Sequence, residues 1–315
     1  EADLIILVGR KLDYQLAYGS PAIFSKATFV RISSNPHELL DNRRGMPEIY
    51  GEPNLVFKDI NSRVLNTNFD KEWILETKEF HSKKIEKLNS KKSNNLGSDG
   101  KIHPNHIFNS IKKLVSDKFV GIADGGDILS FARVSLNSKY YLDSGVFGCL
   151  GVGIPYAIVA SEIHKDLPVI CVIGDGSFGF NAMELDTAVR NKSNICIIIS
   201  NNGGWNIETI DQKLNYGNRV YGTTLRHTDY AKMAEGIGAF GIRVEIPEKL
   251  EQSIDKALKN TPSVVDVITS STVMSSDAIK GLSLIPKYQA LGVWDDLEKK
   301  YRDEDWKINK IWKKL

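Results

Sequence analysis

The stretch PVICVIGDGSFGFNAMELDTAVRNKSNICIIISNNGG, from Pro168 to Gly204, decides the fold. PVICVI is a short, continuous apolar run closed by the turn Gly174-Asp175-Gly176, the pattern of a strand buried on both faces. NICIIIS repeats the pattern and closes on Asn201, Asn202, Gly203 and Gly204. Between them NAMELDTAVRNK reads as a helix, expected to begin near Phe178. Strand, helix and buried strand in succession form a βαβ unit of a parallel sheet. Asp175 and Asn202 then stand just past the C-terminal ends of two consecutive strands, expected to be neighbours.

Working outward, residues 101–270 continue the alternation. HPNHIFNSIKKLV reads as a helix, with Pro104 suited to its first turn. FVGIADGG follows as strand and turn, then YYLDSG, and VGIPYAIVASEIHKD as a helix. Beyond Gly204, HTDYAKMAEGIG and KLEQSIDKALKN read as helices, FGIRVEI and SVVDVIT as strands. The fold class is α/β, a doubly wound parallel sheet, preceded by part of a second α/β nucleotide-fold domain. That first part, residues 1–66, has strands LIILVG and ATFVRIS, a short helix at NPHELLDNR, and LVFKDINSRVL as helix or strand, with helix favoured by spacing. Residues 67–100 hold a charged helix, Asp70 to about Lys92, and the polar linker SKKSNNLGSDGK, with a boundary near Gly100. Residues 271–315 form a tail with three tryptophans, expected to pack back on the body or on a partner; a membrane-surface helix at WKINKIWKKL is the alternative.

Composition narrows the function. The chain has 315 residues, 42% of them hydrophobic, and a net charge of +2 from 41 basic and 39 acidic residues. That balance gives no basis for binding nucleic acid or an acidic membrane. No stretch reaches the roughly 20 apolar residues of a membrane helix, and EADLIILVG lacks the basic start of a signal peptide. Its strand-like beginning suggests a fragment or one product of a split chain. Cys149, Cys171 and Cys196 stand apart without metal-ligand spacing, as small core side chains of a cytoplasmic protein.

The two turns carry the chemistry. Ligands bind at the C-terminal strand ends of such sheets. The Asp175 carboxylate, the Asn202 amide oxygen and a backbone carbonyl of the second turn are hard oxygen donors, suited to a magnesium ion that completes its shell with phosphate and water. The following helix points free N–H groups at the same place, and Gly174 and Gly176 allow close approach of a phosphate. Each turn alone reads as an ordinary turn; at the ends of consecutive strands they point together to a bound diphosphate.

GDG, 24 residues and NN resembles the signature of the thiamine diphosphate enzymes. The resemblance implies that Asp175, the Asn202 side chain and the Gly204 carbonyl ligate Mg2+, and that Gly174, Gly176 and Ser177 line the diphosphate. LDSGVFGCLGVGIPYAIVA, from Leu142, resembles the family's pyrimidine-side segment, so the Gly148 carbonyl and Leu150 N–H would hold the aminopyrimidine while the Leu150 side chain bends the cofactor. Its glycines do not match GxGxxG, so a dinucleotide loop is disfavoured. ADGGD, from Ala123, resembles a third loop at the diphosphate; Gly125 and Gly126 fit close approach, and the role of Asp127 stays open.

The resemblance is narrower still to acetolactate synthase-like proteins, including 2-hydroxyacyl-CoA lyases and oxalyl-CoA decarboxylase, through FGFNAMELDTAVR and SSDAIKGLSLIPKYQALGVWDD. It implies that residues 1–66 are the C-terminal part of a central domain, 101–270 the diphosphate- and magnesium-binding domain, and 271–315 a possible active-site lid. Ser33 and Ser34 stand where the oxalyl-CoA decarboxylase-like proteins tend to carry an acidic residue at a nucleotide ribose. The family's pyrimidine-binding domain, with its cofactor-activating glutamate, would come from a partner chain or domain in a homo- or hetero-oligomer. The implied activity is carbon–carbon bond cleavage, first of a 2-hydroxyacyl-CoA to a carbonyl compound and formyl-CoA. Acetolactate synthase-like or 2-oxoacid decarboxylase activity is the alternative, and a non-catalytic cofactor-binding subunit is a reading of another class. In GGWNIETIDQ, Glu208 is the candidate general acid/base and Trp205 shapes the pocket; Glu208 as a solvent-facing first-turn residue is the competing reading.

Overall fold

The computed structural model describes residues 2–19, 24, 26–39, 47–64, 71–91 and 96–275. The chain divides into two compact units, with the break between Lys83 and Lys84.

The first unit carries three parallel strands in the order β1 (Leu4–Val8), β2 (Thr28–Ser33) and β3 (Glu48–Tyr50). β3 is too short to register as an apolar run. Leu7, Leu12 and Phe29 form a small core. Helix α1 (Pro53–Arg63) resolves the helix-or-strand ambiguity at LVFKDINSRVL; Pro53 at its first turn fits, since proline lacks only an N–H that would be unpaired there. Of NPHELLDNR, Pro36–Glu38 is a single 3-10 turn capped by the Asn35 side chain, and residues 40–43 lie outside the described residues. Ser33 is buried and donates to Glu38 at 2.5 Å. The charged helix is α2 (Lys71–Lys91).

The second unit is built on six parallel strands: β4 (Val120–Asp124), β5 (Tyr140–Leu142), β6 (Val169–Gly174), β7 (Ile195–Asn201), β8 (Phe240–Val244) and β9 (Ser263–Ile268). Their spatial order is β5-β4-β6-β7-β9-β8. β6 and β7 are direct neighbours, paired from Val169–Ile195 to Gly174–Ser200. The four central strands are buried almost throughout, and β5 and β8 form the edges. Side chains alternate between two cores. Ile170, Val172, Cys196 and Ile198 pack with α3 (Pro104–Val115), α4 (Asp127–Ser135) and α10 (Pro247–Lys259). Cys171, Ile173, Ile197 and Ile199 pack with α5 (Gly153–Ile163), α6 (Asp175–Asn181), α7 (Glu184–Arg190) and α9 (Tyr230–Ile237). The sheet is thus covered on both faces, the doubly wound arrangement.

Two elements depart from the sequence reading. The helix expected from near Phe178 begins at Asp175, and a turn at Ala182–Met183 splits it into α6 and α7. Asp175 starts it because a carboxylate in the first turn is favoured by the helix dipole, and its Oδ1 accepts the Gly176 N–H at 3.0 Å. Helix α4, unread in DILSFARVS, is only 9 residues long, too short for a clear apolar period. Cys149, read as a core residue, is exposed, whereas Cys171 and Cys196 are buried.

Among the described residues no helix is long and apolar enough to cross a membrane. Residues 276–315, with the lid and membrane-helix readings of the tail, lie outside the described residues.

Candidate active site

Chain order sets the place of the site. From β4 the chain runs to β5 on one side, then returns to β6 on the other. The crevice at the carboxyl ends of β4 and β6 is therefore the topological switch point, where ligands bind in open α/β sheets. Asp124 ends β4 and Gly174 ends β6.

The two turns flanking β6 and β7 meet there. Asp175 is 2% exposed. Its Oδ2 accepts the N–H groups of Gly203 at 2.9 Å and Gly204 at 3.2 Å. The same Gly204 N–H reaches Asn202 Oδ1 at 3.1 Å, so a carboxylate oxygen and an amide oxygen converge on one backbone group. Gly203 has φ +73°, and a Cβ there would lie 3.0 Å from the His227 ring, which fixes glycine at this bend. Burial pushes the Asp175 carboxyl up to about 6, although the N–H groups of Gly176, Gly203 and Gly204 pull the other way. A cation beside it would offset that desolvation cost.

The third loop and the pyrimidine-side segment reach the same crevice. Gly125, at φ +125°, lies against the Gly174 nitrogen and the Ser177 hydroxyl, 3.4 and 3.5 Å from where its Cβ would be. A Cβ on Gly126 would lie 2.5 Å from Ile207, in α8 (Asn206–Asn215). Asp124, fully buried, accepts the Gly151 N–H at 3.3 Å and the Gly153 N–H at 2.8 Å. Asn181 donates to the Gly151 carbonyl at 2.7 Å. Gly148 is exposed in the left-handed region, at φ +61° with open space around it, and Leu150 is half-buried.

Trp205 packs across Gly176, where a Cβ would lie 2.6 Å from its ring, and meets Phe180 edge-on at 5.9 Å. Its backbone N–H donates to Thr223 at 2.8 Å, anchoring the loop before α8. Glu208 sits apart from this cluster: it is exposed in the first turn of α8 and makes no hydrogen bond or ion pair with the site residues among those described.

Several residues that hold the site had no role assigned from the sequence, Asp127 among them. Asp127 is a buried tie: its Oδ2 accepts from Asn206 at 3.0 Å and its Oδ1 from the Ser275 N–H at 3.3 Å, and burial raises its carboxyl above the ordinary range. Asn201, fully buried, donates to Asp266 at 2.9 Å and to the Thr228 carbonyl at 3.0 Å. Asp266 also accepts the Tyr230 N–H and pairs with Arg243 at 3.2 Å. The signal was present in SVVDVIT: a carboxylate inside a buried strand requires partners.

This donor set fits a small hard cation. Among the described residues no three His, Cys, Asp or Glu side chains cluster to hold a metal, so a cation at Asp175 and Asn202 would draw its remaining ligands from backbone, water and phosphate oxygens, the habit of Mg2+. Gly125 and Gly174 add no side chain at the ends of β4 and β6, which fits the close approach of a diphosphate, while the space over Gly176 is taken by the Trp205 ring.

Comparison with known proteins finds a family match within the second unit. Residues 125–267 match the family model of the thiamine pyrophosphate enzyme, C-terminal TPP binding domain. The acetolactate synthase large subunit IlvG of Mycobacterium tuberculosis is 29% identical over 282 residues, covering 87% of this chain and 50% of that protein. The 2-hydroxyacyl-CoA lyase 2 of Homo sapiens is 27% identical over 289 residues, covering 86% and 44%. The 2-hydroxyacyl-CoA lyase 1 of Mus musculus is 29% identical over 285 residues, covering 82% and 48%. The chain spans about half the length of the curated relatives it matches. The resemblance drawn from GDG and NN is borne out at the level of this group.

Proposed function

We propose, from the match of residues 125–267 to the thiamine pyrophosphate enzymes, that this chain supplies the diphosphate-binding half of a thiamine diphosphate-dependent carbon–carbon lyase or carboligase. The observation that carries the reading is the closure of two loops on one point: Asp175 Oδ2 and Asn202 Oδ1 share the Gly204 N–H. When bound, thiamine diphosphate supplies a carbanion that adds to a carbonyl carbon and stores the electrons of the broken carbon–carbon bond. The chain's residues do the rest. Asp175, Asn202 and the Gly204 carbonyl hold Mg2+, and Gly125, Gly126, Gly174, Gly176 and Ser177 line the diphosphate. Gly148 and Leu150 receive the pyrimidine end. Trp205 walls the crevice against water, and Glu208 exchanges a proton with the substrate across the face a partner domain would cover. That partner domain brings the pyrimidine-binding glutamate, in a homo- or hetero-oligomer.

The preferred substrate is a 2-hydroxyacyl-CoA, cleaved to a carbonyl compound and formyl-CoA. The similarity to lyases 1 and 2 supports it. A similarity of the same strength to an acetolactate synthase large subunit supports a 2-oxoacid as the second reading. The chain, alone and mixed with a chain bearing a pyrimidine-binding domain, is given Mg2+ and thiamine diphosphate and offered each substrate. Release of formyl-CoA supports the lyase. Consumption of pyruvate alone replaces it with the synthase reading, and cofactor binding without turnover in any combination leaves a non-catalytic subunit.

A further inference from the structure

Asp124 occupies a position that the site residues above do not explain. Its two oxygens accept the N–H groups of Gly151 and Gly153, on the arm that receives the pyrimidine end. Asp124 itself ends β4 and leads directly into Gly125 and Gly126, on the arm that lines the diphosphate. Asp124 is 0% exposed, so these contacts are made away from water, where a lost partner is costly. The Gly151 peptide is held from its other side as well, by Asn181 at the end of α6. The Gly151 loop is thus tied to the end of β4 through Asp124 and to the end of α6 through Asn181.

We infer that Asp124 is a positioning residue that fixes the span between the two arms of the crevice, so that both ends of one thiamine diphosphate molecule are gripped at once. The inference rests on the proposed cofactor site. A simple helix cap for α5 would need only the Gly153 bond; the additional bond to Gly151 ties the loop at the pyrimidine end to the strand end that leads into the diphosphate loop. Removing the carboxylate leaves the Asp175–Gly204 closure intact and releases the pyrimidine arm.

The test compares two ligands by titration calorimetry on the full chain in Mg2+: thiamine diphosphate, which spans both arms, and inorganic pyrophosphate, which engages one. Asp124→Asn is expected to weaken thiamine diphosphate by about 10-fold or more, the loss of one charge-assisted bond, and pyrophosphate by less than about 3-fold. Asn181→Ala, at an exposed residue, is expected to shift the ratio in the same direction by a smaller factor, and serves if Asp124→Asn does not fold. Equal weakening of both ligands in either folded variant overturns the positioning role and leaves the cofactor site standing. A wild-type chain that binds thiamine diphosphate no better than pyrophosphate overturns the site reading and this inference together.

Discussion

Asp175 and Gly203 are 28 residues apart in sequence, yet the carboxylate of the first accepts the N–H of the second at 2.9 Å. The contact closes the β6 turn onto the β7 turn and makes a single oxygen-lined site out of two ordinary loops.

Asp175→Asn exchanges an ionised acceptor for an amide whose NH2 must face either the Gly176 N–H or those of Gly203 and Gly204. Loss of a charged hydrogen-bond partner corresponds to roughly 1.5–3 kcal/mol, about 10- to 100-fold in affinity. Titration with thiamine diphosphate in Mg2+ should show a weakening in that range or beyond; unchanged affinity would remove Asp175 from the metal site.

Gly176→Ala places a methyl group 2.6 Å from the Trp205 ring. Overpacking of this kind typically costs about 1–3 kcal/mol. Denaturant unfolding should register the loss, and Trp205→Leu combined with it should recover most of the difference. A double variant as unstable as the single one would locate the strain elsewhere.

Burial raises the Asp127 carboxyl above its ordinary 3.8. The folded chain keeps this proton at pH values where the unfolded chain has lost it. The group's contribution to stability is therefore full below the unfolded value and is lost as pH rises toward the raised folded value. In Asp127→Asn the slope from this group disappears. The stability of wild type minus that of the variant should fall as pH increases from about 4; a difference that stays flat with pH refutes the assignment.

Asp266 is fully buried and holds Asn201, Tyr230 and Arg243 together. Breaking a buried pair by removing one partner costs about 3–5 kcal/mol, so Asp266→Ala should unfold at markedly lower denaturant. A change under about 1 kcal/mol would mean that Arg243, at the sheet edge, is already hydrated.

Glu208→Ala is expected to lower turnover of the assembled enzyme by about 100-fold or more, the typical weight of a general acid/base, while leaving the dissociation constant for thiamine diphosphate unchanged. Full activity would return Glu208 to the role of an exposed first-turn residue.

The sequence by itself determined the layering. Uninterrupted β-branched runs such as VICVI and ICIII satisfy a strand buried on both faces and little else, so a covered parallel sheet with β6 beside β7 followed from pattern alone. It also marked the two turns, because glycine and asparagine next to a strand end are local signals that need no partner to be read. Tertiary structure decided what those turns touch. Asp124, Asp127, Asn201 and Asp266 are isolated polar letters in the sequence; their roles come from residues 27 to 148 positions away. Only the folded sheet sets those distances, and only burial forces each of those polar groups to find its partner.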